Sequence, residues 1–295
     1  MNKILRCISK CLKKNIYKKE EDILYQVGNY SIFLPSSHKL PEYQKTFSCY
    51  DKKLKYIIRN IGSKSEQNII IDIGANVGDT AAYIRSFSSS KIYCIEGDSV
   101  YLGYLRKNIQ NIPNVEVVDY YISGRNRIDN YHVVRVNGTA KLSRFNVSEH
   151  NKHKIKNISL EDAILKYNIN PTSIELIKID TDGFDFDILI ANKELISKIK
   201  PDIFFEYDIS FNINDFIDSI ELIDMLQLIG YNFIVYDNFG NLLLVVENNA
   251  IEVFTRLNHY LSSCKSNGGG VFYFDIFASV DKCLIHAIVA DDNII

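Results

Sequence analysis

The chain of 295 residues has no tryptophan, and its formal net charge is only −2 at pH 7. A nearly neutral molecule has no overall electrostatic attraction to nucleic acid, so we expect no nucleic-acid partner. The six cysteines form no CxxC pair and no regular framework, which favours a reducing compartment. No apolar stretch has the length of a membrane-spanning helix, and no signal-peptide pattern is present. We therefore predict a cytoplasmic protein.

The amino-terminal segment departs from this balance of charge. Residues 1–19 carry seven lysine and arginine residues and no acidic residue. Isoleucine or leucine recurs at every fourth position from Ile4 to Ile16, which predicts a basic amphipathic helix over residues 1–22. Two interpretations stay open. The helix packs on the rest of the protein with its lysines in solvent, or it makes peripheral contact with the anionic inner face of the cell membrane.

Strand and helix patterns alternate along most of the chain. Apolar strands are predicted at 68–74, 91–97, 114–122, 174–180 and 202–207. A polar, irregular stretch is expected after the third of them, to about residue 157, and a helix is predicted over 185–198. This alternation predicts an α/β fold with a mostly parallel sheet and helices on both faces. The turn signal "DNFGN" between two later apolar strands predicts an antiparallel hairpin. We predict one main domain over 67–295, preceded by a cap of a strand or hairpin and a helix over 23–66.

The stretch "IIIDIGANVGDT" at 69–80 runs from a buried type of strand directly into glycines. Glycine lets the backbone turn sharply and lets a ligand approach where a Cβ would collide. A P-loop would need a longer spacing and a lysine, and the dinucleotide fingerprint G-x-G-x-x-G is absent. A mononucleoside ligand without a pyrophosphate remains, and S-adenosylmethionine fits that description.

The end of the second predicted strand supports a nucleoside site. Glu96 follows Asp72 at about the interval at which an acid accepts hydrogen bonds from both ribose hydroxyls in such folds. Tyr121, at the end of the third strand, has two open roles, since it either flanks the adenine or packs in the core. The predicted cofactor-binding residues are Asp72, Gly74, Ala75, Asn76, Gly78, Glu96, Gly97 and Tyr121.

The fourth predicted strand leads into the densest acidic stretch of the chain, "LIKIDTDGFDFD". An EF-hand is excluded, because the glycine stands at position four and position twelve is alanine. Capping of the following helix explains one or two of these acids, Asp182 or Asp185 among them. It does not explain Asp180, which is expected at the carboxyl end of the strand, beside the crevice where such sheets bind ligands. Glu206 ends the next strand and is expected to face the same crevice.

These motifs together carry a family resemblance. "IIIDIGANVGDT", "IYCIEGD", "IKIDTDGFDFDIL" and "KPDIFFE" occur in this order and resemble the FkbM family of S-adenosylmethionine-dependent methyltransferases over roughly residues 25–280. The resemblance implies a class I, Rossmann-like methyltransferase domain with the methyl donor over the first strands. It also implies methyl transfer to an oxygen of a sugar or a similar hydroxylated metabolite. Our first hypothesis for the acceptor is a sugar hydroxyl on a bacterial glycan or glycolipid precursor, as in polysaccharide biosynthesis. Asp182 and Asp185 stand where the family usually has glutamates.

Asp180 and Asp182 are the predicted catalytic residues. An alcohol is a poor nucleophile until its proton leaves, so a nearby carboxylate acts as general base. In an alternative, Asp180, Asp182 and Glu206 hold a divalent cation that acidifies the hydroxyl. Two other functions stay open: methyl transfer to the nitrogen of an amino sugar or small amine, and a non-catalytic adaptor that keeps the fold. The acceptor and the oligomeric state do not follow from the sequence.

Overall fold

The computed structural model describes residues 21–50, 52–62, 67–125, 131–136, 138–144, 155–212 and 214–292. The predicted basic helix over 1–22 therefore lies almost entirely outside the described residues. None of the helices within the described ranges is long and apolar enough to cross a membrane.

The described elements alternate along the chain much as the sequence pattern predicts. The strands are β1 (Asp22–Val27), β2 (Tyr30–Pro35), β3 (Ile69–Ile73), β4 (Lys91–Ile95), β5 (Val115–Val118), β6 (Tyr121–Ile122), β7 (Tyr131–Val136), β8 (Thr139–Arg144), β9 (Asn157–Ile158), β10 (Ile174–Ile179), β11 (Asp202–Tyr207), β12 (Asn232–Asp237), β13 (Leu242–Val246) and β14 (Phe274–Ser279). The α-helices are α1 (Leu40–Thr46), α2 (Lys52–Ile61), α3 (Asp79–Arg85), α4 (Ser99–Asn108), α5 (Leu160–Lys166), α6 (Asp185–Ala191), α7 (Lys193–Ile199), α8 (Asp215–Ile229), α9 (Ala250–Ser266) and α10 (Lys282–Asp292).

Eight strands form one sheet in the order β13-β12-β14-β11-β10-β3-β4-β5. Neighbouring strands from β11 to β5 are parallel, whereas β14, β12 and β13 join the sheet antiparallel to their neighbours. The β12–β13 pair is the late antiparallel hairpin predicted from "DNFGN". The predicted α/β fold with a mostly parallel sheet is therefore confirmed.

Helices cover both faces of this sheet, and a separate apolar core lies between the sheet and the helices on each face. Helices α5 to α9 pack over one face, where Ile71 and Ile177 are buried. Helices α2, α3, α4 and α10 pack over the other face, where Ile70 and Leu176 are buried. The two-residue period of a strand sends neighbouring side chains of β3 and β10 into different cores. Burial of each such side chain stabilises the folded state by about 1.5–3 kcal/mol, so the apolar residues on both faces of the strands stabilise a sheet covered on both sides.

The predicted third strand, 114–122, is divided in the structure. Its first part, β5, pairs with β4 and ends at Val118. The N–H of Tyr120 donates to the carbonyl oxygen of Val118 (3.0 Å), and this turn takes the chain out of the main sheet. The second part, β6, pairs with β9 instead, which brings Tyr121 towards the strand ends.

Two further elements differ from the sequence-based expectation. The single helix predicted over 185–198 is two helices, α6 and α7, which meet at Asn192. The backbone of Asn192 is not helical (φ −102°, ψ 22°), and its side chain donates to the carbonyl oxygen of Ile188 (2.7 Å). The stretch expected to be irregular after the third strand contains the antiparallel hairpin β7–β8.

Candidate functional site

Gly74 lies where the ends of β3 and β10 approach each other. Its φ angle is +82°, and a Cβ at this position would stand 1.9 Å from the carbonyl oxygen of Asp180. The N–H of Asp180 in turn donates to the carbonyl oxygen of Ile73 (3.0 Å). Any side chain at position 74 would force these strand ends apart, so this turn requires glycine.

Glu96 follows β4 and connects the glycine turn with the start of α4. Its Oε2 accepts a hydrogen bond from the N–H of Asn76 (2.9 Å), and its Oε1 accepts one from the N–H of Asp98 (2.6 Å). Burial raises the pKa of Glu96 to about 7, although these backbone hydrogen bonds act to lower it. Because a carboxylate has about four acceptor positions, Glu96 can receive further hydrogen bonds from a ligand.

An open cavity of about 590 Å³, the first cavity, lies over these strand ends. Seven predicted site residues line it, namely Gly74, Asn76, Glu96, Gly97, Tyr121, Asp180 and Asp182. They come from the ends of β3, β4 and β10 and from β6, so the fold assembles in one place what the sequence spreads over more than a hundred positions.

Three predicted cofactor contacts do not lie on the wall of this cavity. Asp72 is fully buried and belongs to the strand face opposite Ile71. Ala75 is buried beneath the turn. Gly78 has a φ angle of +86° and begins α3, where a Cβ would stand 2.8 Å from a methyl group of Leu105. Strand alternation and the start of α3 direct these three residues away from the cavity. They contribute to the packing and conformation of the turn instead.

Other residues that line the first cavity were not identified from the sequence. Ile95 and Thr181 adjoin predicted residues, so the positions of the strand ends could have indicated them. Tyr101 lies on α4, Phe184 lies just before α6, and Ala140 comes from β8. From the sequence, only the position of residues 137–146 between the third and fourth predicted strands indicates that this segment helps to close the site, and no local pattern singles out Ala140.

Two buried polar atoms of the first cavity have no hydrogen-bond partner among the described residues, Asn76 Oδ1 and Tyr121 Oη. An unpaired buried polar group costs about 1–3 kcal/mol, so a ligand that pairs with these atoms gains affinity. Gly97 lets the ring of Tyr121 approach the backbone, since a Cβ at position 97 would stand 2.2 Å from that ring. The first cavity therefore offers hydrogen-bond partners and one face of its wall to a polar ligand.

The hairpin β7–β8 is tied to the edge of the first cavity. Arg135 Nη2 lies 2.6 Å from Asp98 Oδ2, and Asp98 also caps α4 by accepting from two backbone N–H groups. The side chain of Asn76 donates to the carbonyl oxygen of Gly138 (2.9 Å). Since charged hydrogen bonds are stronger than neutral ones, the Arg135 pair holds the hairpin where Ala140 completes the wall.

A second cavity of about 1090 Å³ adjoins the first. The two share four residues, Gly74, Asn76, Asp180 and Asp182. The rest of its wall comes from the segment around α1, from the start of α3, from Thr139 and from Lys178, with His38, Lys39, Leu40, Tyr43, Tyr50, Asp79 and Thr80 as the remaining residues. The predicted catalytic carboxylates thus stand at the junction of the two cavities.

Glu206 lies apart from this junction. It lines a small cavity of about 170 Å³ together with Asp185 and Phe211. Burial raises its pKa well above the usual range, and the neighbouring carboxylates of Asp180 and Asp185 raise it further. Within the described residues, no group of three or more histidine, cysteine, aspartate or glutamate side chains could hold a metal ion. The structure therefore does not assemble Asp180, Asp182 and Glu206 into a cation site.

Comparison of the sequence with family models identifies one domain. The model described as the methyltransferase FkbM domain matches residues 72–236, more than half of the chain. The matched range includes the glycine turn, Glu96 and the acidic stretch after β10. No curated protein matches the chain.

Several solved structures match the chain at low sequence identity. The methyltransferase FkbM from Methylobacillus flagellatus KT is 17% identical at a TM-score of 0.37, and the match covers 55% of this chain and 37% of that one. M. jannaschii TYW2 in complex with AdoMet is 12% identical at a TM-score of 0.40, with 89% and 87% covered. Aeropyrum pernix fibrillarin with natively bound S-adenosyl-L-methionine is 10% identical at a TM-score of 0.36, with 72% and 67% covered.

The family match and the sheet agree with the expectation from the ordered motifs. The predicted class I, Rossmann-like fold is confirmed, and so is S-adenosylmethionine as the cofactor. The chain belongs to the FkbM family of S-adenosylmethionine-dependent methyltransferases.

Proposed function

We propose that this protein transfers a methyl group to a sugar hydroxyl on a bacterial glycan or glycolipid precursor. The observation that carries the proposal is the junction of two cavities, one suited to a nucleoside and the other open to a second molecule. Asp180 and Asp182 stand at that junction. A methyl donor in the first cavity and an acceptor in the second would meet beside two carboxylates.

The residues of the first cavity fit S-adenosylmethionine, which supplies an activated methyl group on a sulfonium when it is bound. Glu96 accepts hydrogen bonds from the ribose hydroxyls with the acceptor positions that its backbone partners leave open. Tyr121 lies beside the adenine ring, where its unpaired hydroxyl and its flat face both gain contacts. Asn76 Oδ1 accepts from a donor group of the same ligand.

Asp180 supplies the base for the acceptor hydroxyl. Its side chain is 57% exposed, so the carboxylate reaches the open second cavity while its backbone is held by Ile73. As the oxygen–methyl bond forms, the sulfur–methyl bond of the donor would break and S-adenosylhomocysteine would leave, while the hydroxyl proton would pass to a carboxylate at the junction. Asp182 stands next to Asp180 for the same task. A positioned general base typically accelerates such a step by about 10²- to 10⁴-fold.

The wall of the second cavity suits a sugar. Tyr43 and Tyr50 lie with their ring centroids 5.7 Å apart and offer flat faces to the C–H side of a sugar ring. Asp79 and the two junction carboxylates offer acceptors to its hydroxyl groups. A small number of placed polar groups among aromatic side chains is typical of a specific ligand site.

Calorimetry and product analysis test this function. We expect S-adenosylmethionine to bind the full chain, and we expect product mass spectrometry with a panel of methyl glycosides to show an added methyl group on oxygen. The proposal fails if neither S-adenosylmethionine nor S-adenosylhomocysteine binds. It also fails if the matching amino glycosides are methylated on nitrogen while the glycosides are not, which would establish the alternative of an N-methyltransferase.

A further inference from the structure

A buried lysine stands at the centre of the sheet, beside the junction of the two cavities. Lys178 belongs to β10, between the buried strands β3 and β11, and its side chain is only 8% exposed. Taking an ammonium group out of water is costly unless charged partners surround it. Its position therefore calls for an explanation beyond packing, since an apolar residue would fill a central strand at no such cost.

The partners of Lys178 are two carboxylates on different strands. Its Nζ lies 3.2 Å from Asp72 Oδ1 and 3.5 Å from Asp180 Oδ2. The register of β3 and β10 places Lys178 directly beside Asp72, and Asp180 follows two positions later on the same strand face. The geometry follows from strand pairing alone, so it is rigid.

Lys178 is charged at neutral pH. Burial alone would lower its pKa, but the carboxylates of Asp72, Asp180 and Asp79 outweigh burial and raise the pKa above its ordinary value. Burial also raises the pKa of Asp72, an effect that Lys178 opposes. Asp72 and Lys178 form a buried ion pair. The carboxylate of Asp72 depends on this pairing, because neither of its oxygens has another hydrogen-bond partner among the described residues.

The ammonium group has a donor left for a ligand. It carries three N–H donors, and its two carboxylate contacts use at most two of them. Lys178 also lines the second cavity. The remaining N–H is therefore available to a methyl acceptor in the second cavity. The Nζ atom that carries it lies 3.5 Å from Oδ2 of Asp180, the proposed base.

We propose that Lys178 donates a hydrogen bond to the hydroxyl next to the one that is methylated, so that the acceptor is a vicinal diol of a sugar ring. The inference rests on the proposed function. A donor and an acceptor that lie this close together match two hydroxyl groups on adjacent carbons: one gives its proton to Asp180, and the other accepts from Lys178. The attacking oxygen does not take this role, since a hydrogen bond from an ammonium group would withdraw the lone pair that forms the new bond.

Matched substrates and variants test the inference. The substrates are the methyl glycosides of glucose, galactose and mannose and their single-deoxy derivatives, each with S-adenosylmethionine. We expect the wild type to methylate a diol 10- to 100-fold more efficiently, in kcat/KM, than the derivative that lacks the neighbouring hydroxyl, which is the range of a hydrogen bond to a charged group. In Lys178→Met, both substrates should react at the same low rate, because the lost hydroxyl no longer has a partner.

Two controls separate this role from a structural one. The double variant Asp72→Asn/Lys178→Met removes both buried charges, so it folds without an unpaired carboxylate and should show the same loss of discrimination. Lys53 is buried to a similar extent in an ion pair with Asp275 but lines neither cavity, so Lys53→Met should keep the discrimination. Thermal unfolding and S-adenosylmethionine affinity are measured for every variant.

Each outcome decides the question. Discrimination that survives in the Lys178 variants overturns the inference. So does a wild type that binds S-adenosylmethionine and methylates none of the diols, or that methylates diol and deoxy substrates equally. Absence of S-adenosylmethionine binding overturns the proposed function itself, and the two failures are therefore distinguishable.

Discussion

The two edges of the same sheet carry cavities of very different character. The carboxyl ends of the parallel strands meet at the first and second cavities, whereas the amino ends of β10 and β11 border another cavity of about 970 Å³. That amino-edge cavity is larger than the first cavity and also has acidic residues, Glu175 and Asp202 among them. Volume and acidic residues alone do not identify the binding edge, since the carboxyl edge also has a cavity of about 1090 Å³ lined by carboxylates.

The difference lies in how the polar groups are used. At the amino edge, Glu175 already accepts from Ser90 (3.2 Å) and from Asn68. None of the described residues with an unpartnered buried polar atom lines that cavity. At the carboxyl edge, Asn76 and Tyr121 keep unpartnered atoms, and a glycine removes the Cβ that would fill the turn. The binding edge is therefore distinguished by buried polar atoms without a hydrogen-bond partner and by a glycine whose backbone a ligand can approach. This agrees with ligand binding at the carboxyl ends of such sheets.

The largest effect that separates the two edges is expected from Gly74→Ala. The new Cβ would stand 1.9 Å from the carbonyl oxygen of Asp180, and alanine is strained at a φ angle of +82°. We therefore expect the free energy of unfolding to fall by about 3 kcal/mol and cofactor binding to be too weak to measure. Gly103→Ala is the control, because a Cβ there has no neighbour within 4 Å and lies inside α4. It should raise the stability by about 0.5–1 kcal/mol. Equal results for the two variants in urea unfolding and calorimetry would contradict the assigned role of the turn.

Asp180→Asn tests the chemistry of the carboxyl edge. We expect kcat to fall by about 10²- to 10⁴-fold, because the amide cannot take the proton of the acceptor, while the affinity for S-adenosylmethionine changes little. Formation of S-adenosylhomocysteine measures the rate, and calorimetry measures the affinity. The variant would argue against a base at this position if it kept more than a tenth of the wild-type rate.

Glu96→Gln tests cofactor binding by its pH dependence. With a pKa of about 7, Glu96 is mostly protonated at pH 6 and mostly ionised at pH 8. If the ribose hydroxyls bind the carboxylate form, the wild-type affinity for S-adenosylmethionine should rise about tenfold from pH 6 to pH 8. In Glu96→Gln the affinity should be about 10-fold lower than that of the wild type at pH 8 and independent of pH over this range. A wild-type affinity that does not change with pH would exclude this role.

The smallest effect on function is expected from Asp202→Asn, at the amino edge. Its affinity for S-adenosylmethionine should stay within about twofold of the wild type, since it lies away from both cavities of the carboxyl edge. Burial raises the pKa of Asp202 to about 7 from an ordinary value of 3.8. The folded state therefore binds the proton more tightly, and this group makes the free energy of unfolding fall as pH rises from 3.8 towards 7.

Urea unfolding at pH 5 and pH 8 checks that sign. The loss of unfolding free energy from pH 5 to pH 8 should be about 2–3 kcal/mol smaller in Asp202→Asn than in the wild type, because the amide does not titrate. A tenfold loss of cofactor affinity in this variant would show that the two edges are not independent and would undo the comparison.

Local patterns were enough to predict much of this protein. The alternation of apolar strands with helices predicted the parallel half of the sheet, since strand and helix periods are properties of neighbouring residues. The glycine turn and Glu96 were also predicted, because each follows a strand whose end is visible in the sequence. Asp72, predicted to bind the cofactor, is buried and does not line the first cavity, and no local pattern shows to which face of a buried strand a side chain points.

The sequence by itself determined the order of the strands along the chain, the turn at Gly74 and the presence of acids at two strand ends. Only the tertiary structure decided which residues meet. It closed the first cavity with Ala140 from a distant hairpin, and it placed Glu206 in a separate small cavity with Asp185 instead of on the wall of the first cavity. It also placed Lys178 between two carboxylates. The physical reason is that such contacts depend on register and packing between strands far apart in the chain, whereas periodicity and turn chemistry act over only a few residues.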